Sequence, residues 1–114
     1  MMNGKKALRV LLAGCVLTVA ASSYAWSAEA KAGKAIYDKV CVSCHGADGK
    51  GNPAMIKALG EKGLNITTKE VKAMKDEQIL KIIVEGAGKM PASGKNLTPQ
   101  EQKDVLSYTR SLGK

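Results

Sequence analysis

Phenylalanine is absent from this 114-residue chain, and with one tryptophan and three tyrosines the aromatic share is only 4%. So little aromatic bulk limits what a small core can bury. Domains of this kind commonly draw stability from a disulfide, a metal or a cofactor. Histidine is scarcer still. His45 is the only one, and the cysteines are Cys15, Cys41 and Cys44. A structural zinc site takes four Cys or His ligands, and downstream of residue 25 only Cys41, Cys44 and His45 are offered. Acidic residues are in deficit, 10 against 18 lysines and arginines, for a formal net charge of +8. The apolar stretch from Val10 to about Ala21 is shorter than the roughly 20 residues of a membrane-spanning helix.

Basic Lys5, Lys6 and Arg9 precede that stretch, and small and polar residues come after it. This is the order of a secretory signal peptide. Ser23 and Ala25 put small residues three and one positions before a cut after Ala25, whereas a cut after Ala28 would put Trp26 at the first of them. The expected division is a removed leader over residues 1–25 and a mature domain over residues 26–114, in the periplasm. Loss of Lys5, Lys6 and Arg9 then leaves a net charge of +5. The alternative is a lipoprotein box, Leu12-Ala13-Gly14-Cys15, which would anchor the protein to a membrane through Cys15. Only Val10 and Leu11 separate Arg9 from that box, which is short for a leader's apolar region.

No repeat or second domain is visible, and the rest reads as helices separated by two long loops. Gly33, Ile36, Tyr37 and Val40 fall on one face of a helix over Ala30–Val40. A glycine-rich loop runs from Gly46 to Pro53, and a short helix is expected around Thr68–Met74. Asp76 reads as the N-cap of a helix over Glu77–Glu85, with Ile79, Ile82 and Ile83 as its buried stripe and Gly86 as its stop. A second loop holds Gly86, Gly88, Met90, Pro91 and Gly94. Thr98, Pro99 and Glu101 form a capping box with proline at the first helical position. In that last helix Val105, Tyr108 and Leu112 share a face. The fold class is therefore all-α. Loops this long in so small a domain usually carry function.

Cys41-Val42-Ser43-Cys44-His45 is a C-x-x-C-H run, the attachment pattern of c-type haem. Two thiols one helical turn apart can each form a thioether with one porphyrin vinyl group, and the adjacent imidazole then ligates the iron. A thioredoxin-like redox pair would need a βαβ setting that is missing. A plain disulfide leaves the histidine and the thin core unexplained. With one histidine the site holds one haem and cannot be bis-histidine. The sixth position falls to a methionine, a lysine, the N-terminal amine, an outside ligand or nothing. Met55, Met74 and Met90 are the methionines downstream of the leader. Met90 is the favoured ligand because it lies in a glycine-rich loop that can approach the metal and that Pro91 stiffens. Met74 reads as core, and Met55, after the first loop, is the remaining alternative.

From about Ala32 onward the chain resembles the class I cytochrome c family, in particular its small bacterial and c6-like members. The residues that carry the resemblance are the Gly33, Tyr37, Cys41 spacing, the C-H-G-A-D-G-K-G run from Cys44 to Gly51, the G-A-G-K-M-P run from Gly86 to Pro91, and Tyr108. The resemblance implies a cytochrome c fold, several short helices and long loops wrapped around one haem c and its iron. It implies that Gly33 lets the first and last helices cross, with Tyr37 and Tyr108 at the contact. It also implies that the Pro53 carbonyl orients His45 through its second ring nitrogen. The 59–74 segment matches least well and no functional residue is carried into it.

The functional expectation is an electron carrier with His/Met ligation, not an enzyme. The competing readings are a haem enzyme or gas sensor with an open sixth site, and a subunit of a larger redox complex. Lys39, Lys50, Lys89 and Lys95 lie near the haem motif or the Met90 loop and would steer redox partners with acidic docking surfaces. The protein is expected to be a monomer. Nucleic acid is not an expected partner, since no motif supports it and export removes the chain from it.

Overall fold

The computed structural model describes residues 20–114, with side chains from residue 29 onward. The Val10–Ala21 apolar stretch, apart from its last two residues, the leader cleavage at Ala25 and the alternative anchor at Cys15 concern residues or side chains outside that description. The described chain forms six helices: α1 (Ala20–Val40), α2 (Val42–His45), α3 (Pro53–Leu59), α4 (Lys69–Ala73), α5 (Asp76–Glu85) and α6 (Pro99–Ser111). Among the described residues there is no strand, only an isolated bridge between Ala87 and Met90. None of the described helices is long and apolar enough to cross a membrane. The all-α expectation holds.

The principal packing is α1 across α6. Gly33 sits at the crossing. A Cβ added there would lie 2.1 Å from the Asp104 carbonyl oxygen and 2.8 Å from Tyr108 Cβ, so only a residue without a side chain permits this approach. One turn on, Tyr37 meets Tyr108 edge to face, ring centroids 5.2 Å apart and planes at 61°. Tyr37, Val105 and Leu106 then join Ile79 and Ile83 from α5 in one core. Burial raises the Tyr37 hydroxyl pKa well above the ordinary phenol value, and neighbouring Cys41 adds to the effect.

Local chemistry explains most boundaries. Thr98 Oγ1 accepts from Glu101 N (3.2 Å) and Glu101 Oε2 accepts from Thr98 N (2.8 Å), which makes the expected capping box. Thr98→Ala is expected to lower stability by about 1 kcal/mol. Thermal unfolding would register that as a fall of about 4–8 °C in a domain of this size. Thr68 caps α4 through Val71 N, as the short-helix expectation requires.

Three boundaries differ from expectation. Helix α1 begins at Ala20, ten residues before the expected start at Ala30. The first glycine-rich loop stops at Asn52, because Asn52 Oδ1 accepts from Ala54 N and Pro53 takes the first helical position, starting an additional helix, α3. The N-cap of α5 is Lys75, not Asp76. The Lys75 N–H is taken by Gln78 Oε1 at 2.9 Å, and the Asp76 carboxylate turns instead to Arg110 on α6.

Candidate functional site

The C-x-x-C-H run forms the short α2 turn directly after α1. Cys41 N donates to the Tyr37 carbonyl at 2.9 Å, and His45 N to the Cys41 carbonyl at 3.0 Å. The two cysteines therefore lie one turn apart, as double attachment to a planar ring requires. The turn ends at Gly46, whose φ of +74° allows the chain to reverse. Tyr37 Oη donates to the Gly46 carbonyl at 2.6 Å, and Gly51 N donates to the His45 carbonyl at 2.7 Å. The motif is thus anchored to α1 and to the adjoining loop.

His45 is buried, and its Nδ1 lies 2.9 Å from the Leu64 carbonyl oxygen. A carbonyl can only accept, so Nδ1 carries the proton in the neutral ring and Nε2 keeps its lone pair. Ligating histidines are held in this way by a backbone carbonyl on the second nitrogen. The expected partner was the Pro53 carbonyl. The structure puts Leu64 there instead, because Pro53 is the first residue of α3 and its carbonyl runs along that helix. Leu64 is itself buried and is carried on a turn in which its N–H donates to Glu61 at 3.0 Å.

Two adjoining cavities, of about 290 and 200 Å³, share Cys41, His45, Gly63, Ala87 and Met90 in their walls. Together they reach the range of roughly 300–1,000 Å³ in which cofactor-sized ligands are held. The larger is lined mainly by apolar side chains, among them Ile66, Val71, Met74, Ile79, Ile82 and Ile83. The smaller opens past Cys44, Leu59, Lys62, Lys89 and Pro91. Burial, with Cys44 contributing, pushes the Cys41 thiol up to about 11. A redox-active C-x-x-C pair needs a lowered thiol pKa, so Cys41 is a poor thiolate and an apolar neighbour for a ring. The donor set, two thiols one turn apart beside an anchored imidazole on an apolar cavity, fits a covalently held haem.

Met90 lies on the walls of both cavities, Met74 on one and Met55 on neither. The Met90 loop is tied to the last turn of α5 at both ends. Gly86 N donates to Ile82 at 2.8 Å and Gly94 N to Ile83 at 2.7 Å, while Ala87 and Met90 bond each other's backbone at 3.1 and 2.9 Å. Gly86 has φ +77°, and a Cβ there would stand 2.6 Å from the Met90 carbonyl oxygen. The loop therefore presents Met90 from a fixed base. Among the lysines expected near the cavity, Lys89 lines it, whereas exposed Lys39, Lys50 and Lys95 do not. Lys62 lines it and was not expected. So does exposed Leu59, and both come from the segment for which no role was expected.

A family model described as cytochrome C oxidase, cbb3-type, subunit III matches residues 28–108. Cytochrome c6 of Gloeothece citriformis (strain PCC 7424) is 31% identical over 107 residues, which take in 89% of this chain and 92% of that protein. The cbb3-type cytochrome c oxidase subunit CcoP of Azospirillum brasilense is 32% identical over 88 residues, 76% of this chain and 30% of that subunit.

Proposed function

The chain belongs to the class I c-type cytochromes, which carry a covalently bound haem c with its iron, and from that premise we propose that it is a periplasmic carrier of single electrons with His45 and Met90 as axial ligands. In this reading residues 1–25 are the export leader and residues 26–114 the working domain. The observation that carries it is the placing of anchored His45 and loop-borne Met90 on the walls of the same cavities. When bound, haem supplies a reversible one-electron change at iron. Cys41 and Cys44 would hold the ring through thioethers. His45 Nε2 would ligate the metal, with the Leu64 carbonyl keeping that imidazole oriented. Met90 would supply a soft thioether ligand, which raises the potential and closes the iron to small molecules. No further side chain is needed for acid–base chemistry.

The test is made on protein expressed in a host with haem-attachment machinery. Acid–acetone extraction should leave the colour on the polypeptide, and intact mass should equal that of residues 26–114 plus one haem. A redox titration should fit a single one-electron couple. Haem released into the solvent, with an unmodified polypeptide mass, would falsify the reading.

Positive charge supports an acidic redox partner, through Lys62 and Lys89 at the cavity mouth and a net charge of +5 after residue 25. The electron-transfer on-rate should fall as salt rises to physiological strength, where the Debye length is about 8 Å. A rate independent of ionic strength removes steering from the reading.

A further inference from the structure

Arg110, in the last turn of α6, reaches back to residues 71–76. Nη1 donates to the carbonyls of Val71 (3.2 Å) and Lys72 (3.3 Å). Nη2 donates to the Met74 carbonyl and to Asp76 Oδ1 (2.8 Å), and Nε donates to the same carboxylate oxygen at 3.0 Å. The carboxylate is not what matters most. Asp76 is 62% exposed, so its ion pair is screened. The three carbonyls lie at the end of a five-residue helix, α4, which is too short to be stable without tertiary support. The same end of the chain adds a second tie. Lys72 Nζ donates to the Gly113 carbonyl at 2.9 Å, and Gly113 lies so close to Thr67 that a Cβ on it would be 2.6 Å from Thr67 Cβ.

The side chains on this clamped backbone form one wall of the cofactor cavity. Val71 and Met74 line it together with Thr109, the residue before Arg110, and His45 and Met90 line the same cavity. We propose that Arg110 is a positioning residue that holds the Val71–Met74 wall closed over the cavity and thereby sets how much water the cofactor meets and its reduction potential. This rests on the single-haem reading above. Water admitted past a loosened wall raises the local dielectric and favours the more highly charged oxidised state, so loss of the clamp lowers the potential. Lysine cannot substitute. Its ammonium is a point donor on one stem, whereas the guanidinium fork spans three carbonyls and a carboxylate at once.

The experiment compares the haem-bearing parent with Arg110→Lys, Arg110→Ala and Thr98→Ala, measuring haem content by intact mass, midpoint potential, and amide exchange over residues 71–76. Both Arg110 variants should keep their haem, show at least tenfold faster exchange across 71–76, and titrate at a lower potential. Thr98→Ala weakens the far end of the same helix and should lose stability at an unchanged potential. If Arg110→Ala does not fold, Arg110→Lys, which keeps the charge, decides alone. Parental exchange in Arg110→Lys, or faster exchange at an unchanged potential, overturns the proposal. An equal fall in potential for Thr98→Ala also overturns it, since stability alone would then set the potential. A parent without covalent haem overturns the functional reading instead, and exchange over 71–76 still judges the clamp.

Discussion

Gly33→Ala should lower the stability of the haem-bearing protein by about 2 kcal/mol or more, although alanine is the better helix former. Two effects oppose each other. Replacing a glycine inside a helix by alanine favours folding by about 1 kcal/mol through backbone entropy. Against it, the new methyl group would meet the Asp104 carbonyl oxygen at 2.1 Å and its carbon at 2.8 Å, with Tyr108 Cβ also at 2.8 Å. None of these atoms can rotate away, so α1 and α6 must separate. Overpacking against movable side chains costs about 1–3 kcal/mol, and this contact is with backbone. Separation also loosens the Tyr37–Tyr108 pair and the fully buried Val105. A loss of 2 kcal/mol corresponds to about 8–16 °C in the unfolding midpoint. Gly60→Ala is the comparison. Its Cβ would meet nothing within 4 Å, and it carries only the backbone strain of φ +86° with ψ 163°, a cost of about 1–3 kcal/mol. If Gly33→Ala unfolds no more readily than the parent, the crossing is not what holds α1 to α6.

Met90→Ala should leave the haem attached and change its chemistry. The thioethers are expected at Cys41 and Cys44, on a different element, so intact mass should differ from the parent only by the side chain removed. The ferric protein should lose the weak near-infrared band of thioether ligation. The opened iron should also bind cyanide or azide in the ferric state and carbon monoxide in the ferrous state. The potential should fall on the order of 0.1 V, within the roughly 0.8 V span that axial ligands command. Met74→Ala is the informative neighbour, since Met74 lines the larger cavity but sits just past α4, away from the loop tied to α5. Its removal should cost about 2–5 kcal/mol at most, because the side chain is only half-buried, and should leave the near-infrared band in place. A Met90→Ala protein that keeps the band and the parental potential would show that another group holds the sixth position. A Met74 or Met55 variant that loses both would name it.

The residues legible in the sequence were those whose partners lie three or four positions away. The C-x-x-C-H run is one turn of helix, and the Thr98–Glu101 box closes on itself within four residues. The Ile79, Ile82, Ile83 stripe needs only the helical period. Asp76 was misread for a related reason. A carboxylate at a helix start suits both an N-cap and a distant cation, and nothing local discriminates Arg110, 34 residues away. The start of α3 was within reach, since Asn52-Pro53 is a cap followed by proline at the first helical position, but the preceding Gly46, Gly49 and Gly51 masked it.

Composition and local pattern by themselves determined an all-α chain with one C-x-x-C-H turn, a single histidine and a methionine on a glycine-rich loop; the helix crossing at Gly33 came from the family resemblance. Tertiary structure alone decided which carbonyl orients His45, that Lys62 and Leu59 reach the cavity mouth, and that Arg110 binds the backbone behind its wall. The physical reason is the kind of group involved. Side-chain chemistry and helical periodicity are written in residue identity at short range. A backbone carbonyl is the same at every position, and only the folded path of the chain brings the one at Leu64 to the imidazole, and those at Val71, Lys72 and Met74 to a guanidinium more than thirty residues away.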